Sequence, residues 1–110
     1  RTRNAAAANY VHSLDSACMI RTVNIAKEKG ITNFCNVHDS FATHACDIDK
    51  LNESIREAFV EIFNEDLFGK LKKDASLLVE DKEAVKKFPE VPENGDLELA
   101  LLHQSKFFFA

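Results

Sequence analysis

The clearest pattern in the chain is the recurrence of Ile48, Leu51, Ile55, Ala58, Phe59, Ile62 and Phe63 at helical spacing behind Asp47. Asp is a good N-cap residue, and apolar positions three and four apart line one face of a helix. The spacing predicts an amphipathic helix that starts at Asp47, with Glu53, Glu57 and Glu61 facing away from its apolar stripe. Upstream, Ser13 can cap a second helix running to about Lys29, with Leu14, Ala17, Cys18, Val23 and Ala26 on one side and Gly30 as its stop signal. Between the two lie Phe34, Cys35 and Val37, then Phe41 to Cys46, separated by His38, Asp39 and Ser40. Two short apolar runs around a polar tip predict a β-hairpin.

Beyond Gly69 the periodicity is weaker. Leu71 to Val79 predict another helix, and Lys82 to Lys87 a short continuation. Pro89, Pro92, Asn94 and Gly95 mark an extended connection, after which Asp96 caps a short helix through Leu102. The sequence ends Phe107-Phe108-Phe109-Ala110, bulky apolar groups that are expected to pack into a groove of this domain or of a partner. The whole is an α+β chain, residues 1–110 as one small domain.

Charge alters this picture in one respect. The net charge of −4 is unlike that of a stand-alone nucleic-acid binder, but it is unevenly spread. Residues 1–50 hold six Lys or Arg against five Asp or Glu, and residues 51–110 hold eight against thirteen. Only the first half therefore tolerates a phosphate backbone nearby. Cys18, Cys35 and Cys46 form an odd set without a disulfide framework, which reads as a reducing compartment. No long apolar span predicts a membrane segment. Arg1 to Ala8 lead into Asn9 without linker composition and read as the cut end of a longer element.

The candidate chemistry centres on Asp39. A carboxylate on a tight turn beside an apolar sheet asks for a partner, and a divalent cation is one. An ordinary turn aspartate, bonded to its own backbone, is the plainer alternative. Cys35, His38, His44 and Cys46 offer a third reading, a small non-catalytic zinc or interaction module, since zinc favours such ligands. Strand alternation opposes it by putting Cys35 and His38 on opposite faces.

Two motifs, Asn9-Tyr10-Val11-His12-Ser13-Leu14-Asp15 and Val37-His38-Asp39-Ser40-Phe41-Ala42-Thr43, carry a resemblance. With the helix after Asp47, the turn Pro89 to Leu97 and the aromatic end, the chain resembles the C-terminal palm segment of single-subunit DNA-dependent RNA polymerases, the bacteriophage and mitochondrial family. The resemblance implies a palm-type α+β fragment whose hairpin carries a catalytic aspartate, Asp39, the second of two that hold a pair of Mg²⁺ ions. It implies that His38 shapes the turn or reaches toward the primer terminus, and that His12 contacts the minor groove of the nucleic-acid duplex near the 3′ end. A helix N-terminal position for His12 would suit that contact. Asp15 reads as a first-turn complement to the helix dipole.

The sequence departs from the family at Cys18, where members commonly have histidine, and at Ala42, often glycine. The family's first catalytic aspartate and its nucleotide-binding lysine and tyrosine have no counterpart in these residues. The resemblance therefore implies that the chain works with the remaining polymerase polypeptide, on a DNA template, an RNA product and ribonucleoside triphosphates, and that it cannot polymerise alone. A split or processed polymerase follows, with the cytoplasm of an infected host cell as its expected place and the mitochondrion as the alternative. Related DNA polymerases also place an aspartate after Val-His, but typically follow it with glutamate; Ser40 favours RNA synthesis, with the DNA-polymerase palm kept as an alternative.

Overall fold

Ala5 to Ala8 are the strongest helix formers in the first turns of the chain, and they extend the first helix well upstream of Ser13. The structure, a computed structural model, describes residues 2–108, with side chains from residue 5. Its first element, α1, is a continuous helix over Thr2–Glu28. Ser13 is therefore not its cap: the Ser13 hydroxyl donates to the carbonyl of Tyr10 at 2.6 Å, inside the helix. This is the local back-bonding that lets serine sit mid-helix. At 27 residues α1 is about 40 Å long at the usual rise per residue. Its half-buried or buried stripe runs Tyr10, Leu14, Cys18, Thr22, Ile25 and Ala26, while Ala17 is exposed.

Gly30 stops α1 as expected, and the geometry gives the reason. Its φ of +90° is one that side chains resist, its N–H donates to Lys27 O, and the N–H of Ile31 donates to Ala26 O, both at 3.0 Å. These two bonds are a Schellman C-cap. The accompanying apolar contact joins Ala26 and Ile31, both fully buried, with Leu51 in the core cluster. Phe34, Phe41 and Ile55 pack on that cluster from the loop, the hairpin and the next helix.

The hairpin pairs β1 (Cys35–Val37) with β2 (Ser40–Ala42) antiparallel, in the register Cys35 to Ala42, Asn36 to Phe41 and Val37 to Ser40. Asn36 and Phe41 form the half-buried pair, and the flanking residues of both strands are exposed. The return strand ends at Ala42, short of the expected Cys46, which lies in a 3-10 turn over Ala45–Asp47.

Helix α2 spans Ile48–Phe63 with Asp47 at its N-cap position, although the Asp47 carboxylate pairs with Lys50 rather than with a backbone N–H. Leu51, Ser54, Arg56 and Ala58 are buried. α1 and α2 form the main interface, and the expected outward face of α2 is not free: Glu61 bonds Arg21, and Glu53 and Glu57 both pair with Lys29. Arg21 of α1 and Lys29 just beyond its end reach around the edge of the apolar seam, as Arg and Lys stems do.

Helix α3 covers Leu67–Leu78, capped by the Asp66 side chain accepting from Gly69 N, and α4 covers Lys82–Lys86, capped by Asp81. A 3-10 helix at Leu99–Gln104, behind Glu98 rather than Asp96, packs on α2. The tail divides: Phe107 is exposed, Phe108 meets Phe59 edge-on at 5.1 Å between ring centres, and Phe109 and Ala110 lie outside the described residues. The radius of gyration is 17.4 Å, against about 13 Å for a close-packed chain of 100 residues, and Leu77, Leu78, Leu97 and Val37 are largely exposed. Mostly helical with one two-stranded hairpin, the molecule is compatible with α+β. Among the described residues no helix is long and apolar enough to cross a membrane.

Candidate active site

A two-residue loop sets the tip of the hairpin. Because Val37 pairs with Ser40, the connection is His38-Asp39 alone, with Ser40 already in β2. His38 has φ of +54°, the one left-handed non-glycine residue among those described. A positive φ at the first loop position matches the twist of the strands, and glycine is the usual residue there. Histidine tolerates this region better than a branched side chain, at some conformational cost. Both side chains of the loop are exposed, and neither makes a hydrogen bond or ion pair with another described residue.

The loop faces α1. His12, Asp15, Ser16 and Met19 of α1, with His38 and Asp39 of the hairpin, line one cleft of about 640 Å³. The α1 residues stand at i, i+3, i+4 and i+7 from His12, a single helical face. His12 Nδ1 and Asp15 Oδ2 are 4.0 Å apart and well exposed, and the Ser16 hydroxyl is spent on the carbonyl of His12 at 3.0 Å. Thus the two motifs, about 25 residues apart in sequence, meet across one opening, with His12 on one wall and Asp39 on the other. Asp15, Ser16 and Met19 were not foreseen as lining residues; their helical spacing from His12 was the available signal.

The place of His12 differs from the expected one. It lies well inside α1, not at a helix N-terminus, so no helix-end dipole or free backbone donors accompany it. Asp15 is likewise not in a first turn. Nearby Cys18 is half-buried, and burial first, then the Asp15 carboxylate, raise its thiol pKa, which keeps it protonated and inert at neutral pH.

Tyr10, two residues before His12, fastens this half of α1. Its hydroxyl donates to Leu67 O at 3.1 Å, and its ring lies 6.3 Å from that of Phe68, so the start of α3 supports the helix face behind the cleft.

For a metal, the donor set is small. Among the described residues no group of three or more His, Cys, Asp and Glu side chains is arranged to hold an ion. The zinc set is divided: Cys35 and His44 border a shallow depression on one side of the hairpin, and His38 lines the cleft toward α1. Asp39 lines the cleft, and the hard oxygens of a carboxylate are of the kind Mg²⁺ prefers, but one carboxylate does not make a site.

Residues 1–88 match the sequence profile of the family described as DNA-dependent RNA polymerase. The protein named DNA-directed RNA polymerase 1B, mitochondrial, of Nicotiana tabacum is 39% identical over 109 residues, 99% of this chain and 10% of the relative. DNA-directed RNA polymerase 2, chloroplastic/mitochondrial, of Arabidopsis thaliana is 41% identical over 109 residues, again 99% and 10%. For DNA-directed RNA polymerase 1A of Nicotiana tabacum the identity is 38% over 109 residues, covering 99% of this chain and 67% of the relative. The chain spans about a tenth of the length of the first two.

Proposed function

The chain belongs to the DNA-dependent RNA polymerase family, and we propose that it supplies one wall of a nucleotidyl-transfer site in the palm of such an enzyme. The observation that carries this reading is the cleft in which His12 of α1 faces Asp39 of the hairpin. Asp39 acts as a metal ligand: its exposed carboxylate makes no hydrogen bond or ion pair with another described residue and stands at the tip of a two-residue loop that borders the cleft. Mg²⁺ bound there, with an aspartate from the remaining polymerase, supplies Lewis-acid activation of the RNA 3′-hydroxyl and neutralises charge on the nucleotide phosphates.

The residues of this chain bind and orient. His12 presents an imidazole to the duplex near the 3′ end from an exposed mid-helix position, with its Nδ1 4.0 Å from the Asp15 carboxylate. His38 holds the loop in its left-handed turn and borders the same opening. DNA template, RNA product and ribonucleoside triphosphates are the ligands, and the rest of the polymerase, in cis or in trans, is the partner. The plant relatives named mitochondrial or chloroplastic favour an organelle, the mitochondrion, over the cytoplasm as its place.

The test is template-directed RNA synthesis by the polymerase containing this chain, wild type beside Asp39→Asn. The expected result is retained duplex binding with RNA synthesis lost. Equal synthesis by the two proteins would overturn the metal role and leave family membership without that chemistry.

A further inference from the structure

We propose that Tyr10 is a positioning residue for His12, setting the angle at which the cleft wall of α1 meets nucleic acid; this rests on the role proposed above for His12. The side chains of residues 5–9 and 11–13 are exposed, and Tyr10 is the half-buried residue among them. It reaches across 57 positions in sequence to the start of α3, with a hydroxyl donating to Leu67 O and a ring against Phe68. Leu67 and Phe68 are themselves fixed, because the Asp66 carboxylate caps α3 through Gly69 N at 2.8 Å.

His12 lies two residues beyond Tyr10, about 200° around the helix, so Tyr10 holds the back of the helix while His12 occupies the front. A helix end anchored at one such point pivots when the anchor is lost. Over the few ångströms that separate Tyr10 from His12, a pivot moves the imidazole without changing its chemistry. The ring supplies the packing and the hydroxyl the register, so loss of the hydroxyl alone is the milder change.

The experiment is a double-mutant cycle on the polymerase containing this chain, with the dissociation constant for an RNA–DNA primer–template as readout. The set is Tyr10→Phe, Tyr10→Ala, Phe68→Ala, His12→Ala and the pairs of each with His12→Ala. Tyr10→Ala and Phe68→Ala are expected to weaken duplex binding about fivefold, Tyr10→Phe less, and all three to add nothing in the His12→Ala background. KM for nucleotides stays unchanged. Phe68 is half exposed, so its substitution is a second route that spares the core. If His12→Ala binds the duplex normally, the reading of His12 itself fails. If His12→Ala weakens binding while the Tyr10 and Phe68 variants are silent, or add their full effect on top of it, Tyr10 does not act through His12 and the inference is overturned.

Discussion

Arg21 and Glu61 close a two-pronged ion pair between α1 and α2, with Nε donating to Oε2 at 2.7 Å and Nη2 to Oε1 at 3.0 Å. The hydrogen bond from Arg21 holds the Glu61 carboxyl below its usual range, against a smaller opposing effect of burial, and Glu61 in turn raises Arg21. A carboxyl whose pKa is depressed by folding contributes stability above its unfolded pKa and loses it as pH falls through the folded value. Glu61→Gln is therefore expected to leave a shallower decline in melting temperature on acidification, with a small loss near neutrality because the pair is solvent-exposed. A decline of unchanged steepness would remove the pair from the acid response.

Gly30→Ala should destabilise the chain by about 1 to 2 kcal/mol, the cost of a left-handed backbone for a residue with a Cβ. Open space around the Cβ position excludes a clash with any residue beyond the two chain neighbours, so the cost is that of the local backbone. Gly30→Asn, which visits this region more readily, is expected to lose less, and urea denaturation of the three proteins gives the order.

Arg56 is only 8% exposed, and its partners among the described residues are neutral: Nε donates to Asn52 Oδ1 at 2.8 Å, Nη1 to the carbonyl of Leu102, and the guanidinium lies 5.4 Å from the centre of the Phe108 ring. Arg56→Leu leaves two acceptors without their donor and is expected to cost about 2 kcal/mol. Cleavage by a protease should then move into residues 99–108, because that segment loses one of its ties to α2 while keeping the Phe59–Phe108 contact. Arg56→Lys keeps the charge but not the two-directional donation, and is expected to rescue only partly.

His38→Gly separates conformation from chemistry at the hairpin tip. Removing the side chain at φ +54° should raise stability by about 1 kcal/mol, while RNA synthesis falls if the imidazole serves the site. Thermal melting and primer extension on the same preparation report the two effects. A variant both more stable and fully active would reduce His38 to a turn residue.

Much of the architecture was legible because local signals agreed with packing. The stripe from Leu51 to Ala58 placed α2, Gly30 ended α1 through its backbone freedom, and the polar tip between Val37 and Phe41 gave the hairpin. The start of α1 is not legible in the sequence because Ser13 has the chemistry of a cap and spends it instead on Tyr10 O, while Ala5 to Ala8 carry the helix past it. The glutamates of α2 face outward as their spacing predicts, but nothing local announces that Arg21 and Lys29 reach them from 40 and about 25 residues away. At the site, the resemblance singled out His12, His38 and Asp39, and the fold brought them to one opening. Asp15, Ser16 and Met19 share the face of His12 only because α1 runs unbroken past Ser13, which the capping chemistry of that serine conceals.

The two-residue loop between Val37 and Ser40 has a consequence for how this region can vary over evolutionary time. Phe41 anchors the hairpin in the core, and strand residues alternate faces with a period of two. One inserted residue in β2 would turn Phe41 toward water and re-aim Asp39 in the same step. An exchanged side chain at the tip leaves Phe41 in place and meets selection on chemistry alone, whereas a change of length meets selection on packing and on chemistry together. Homologous sequences are expected to keep the spacing from Val37 to Phe41 free of gaps even where the residues between them differ.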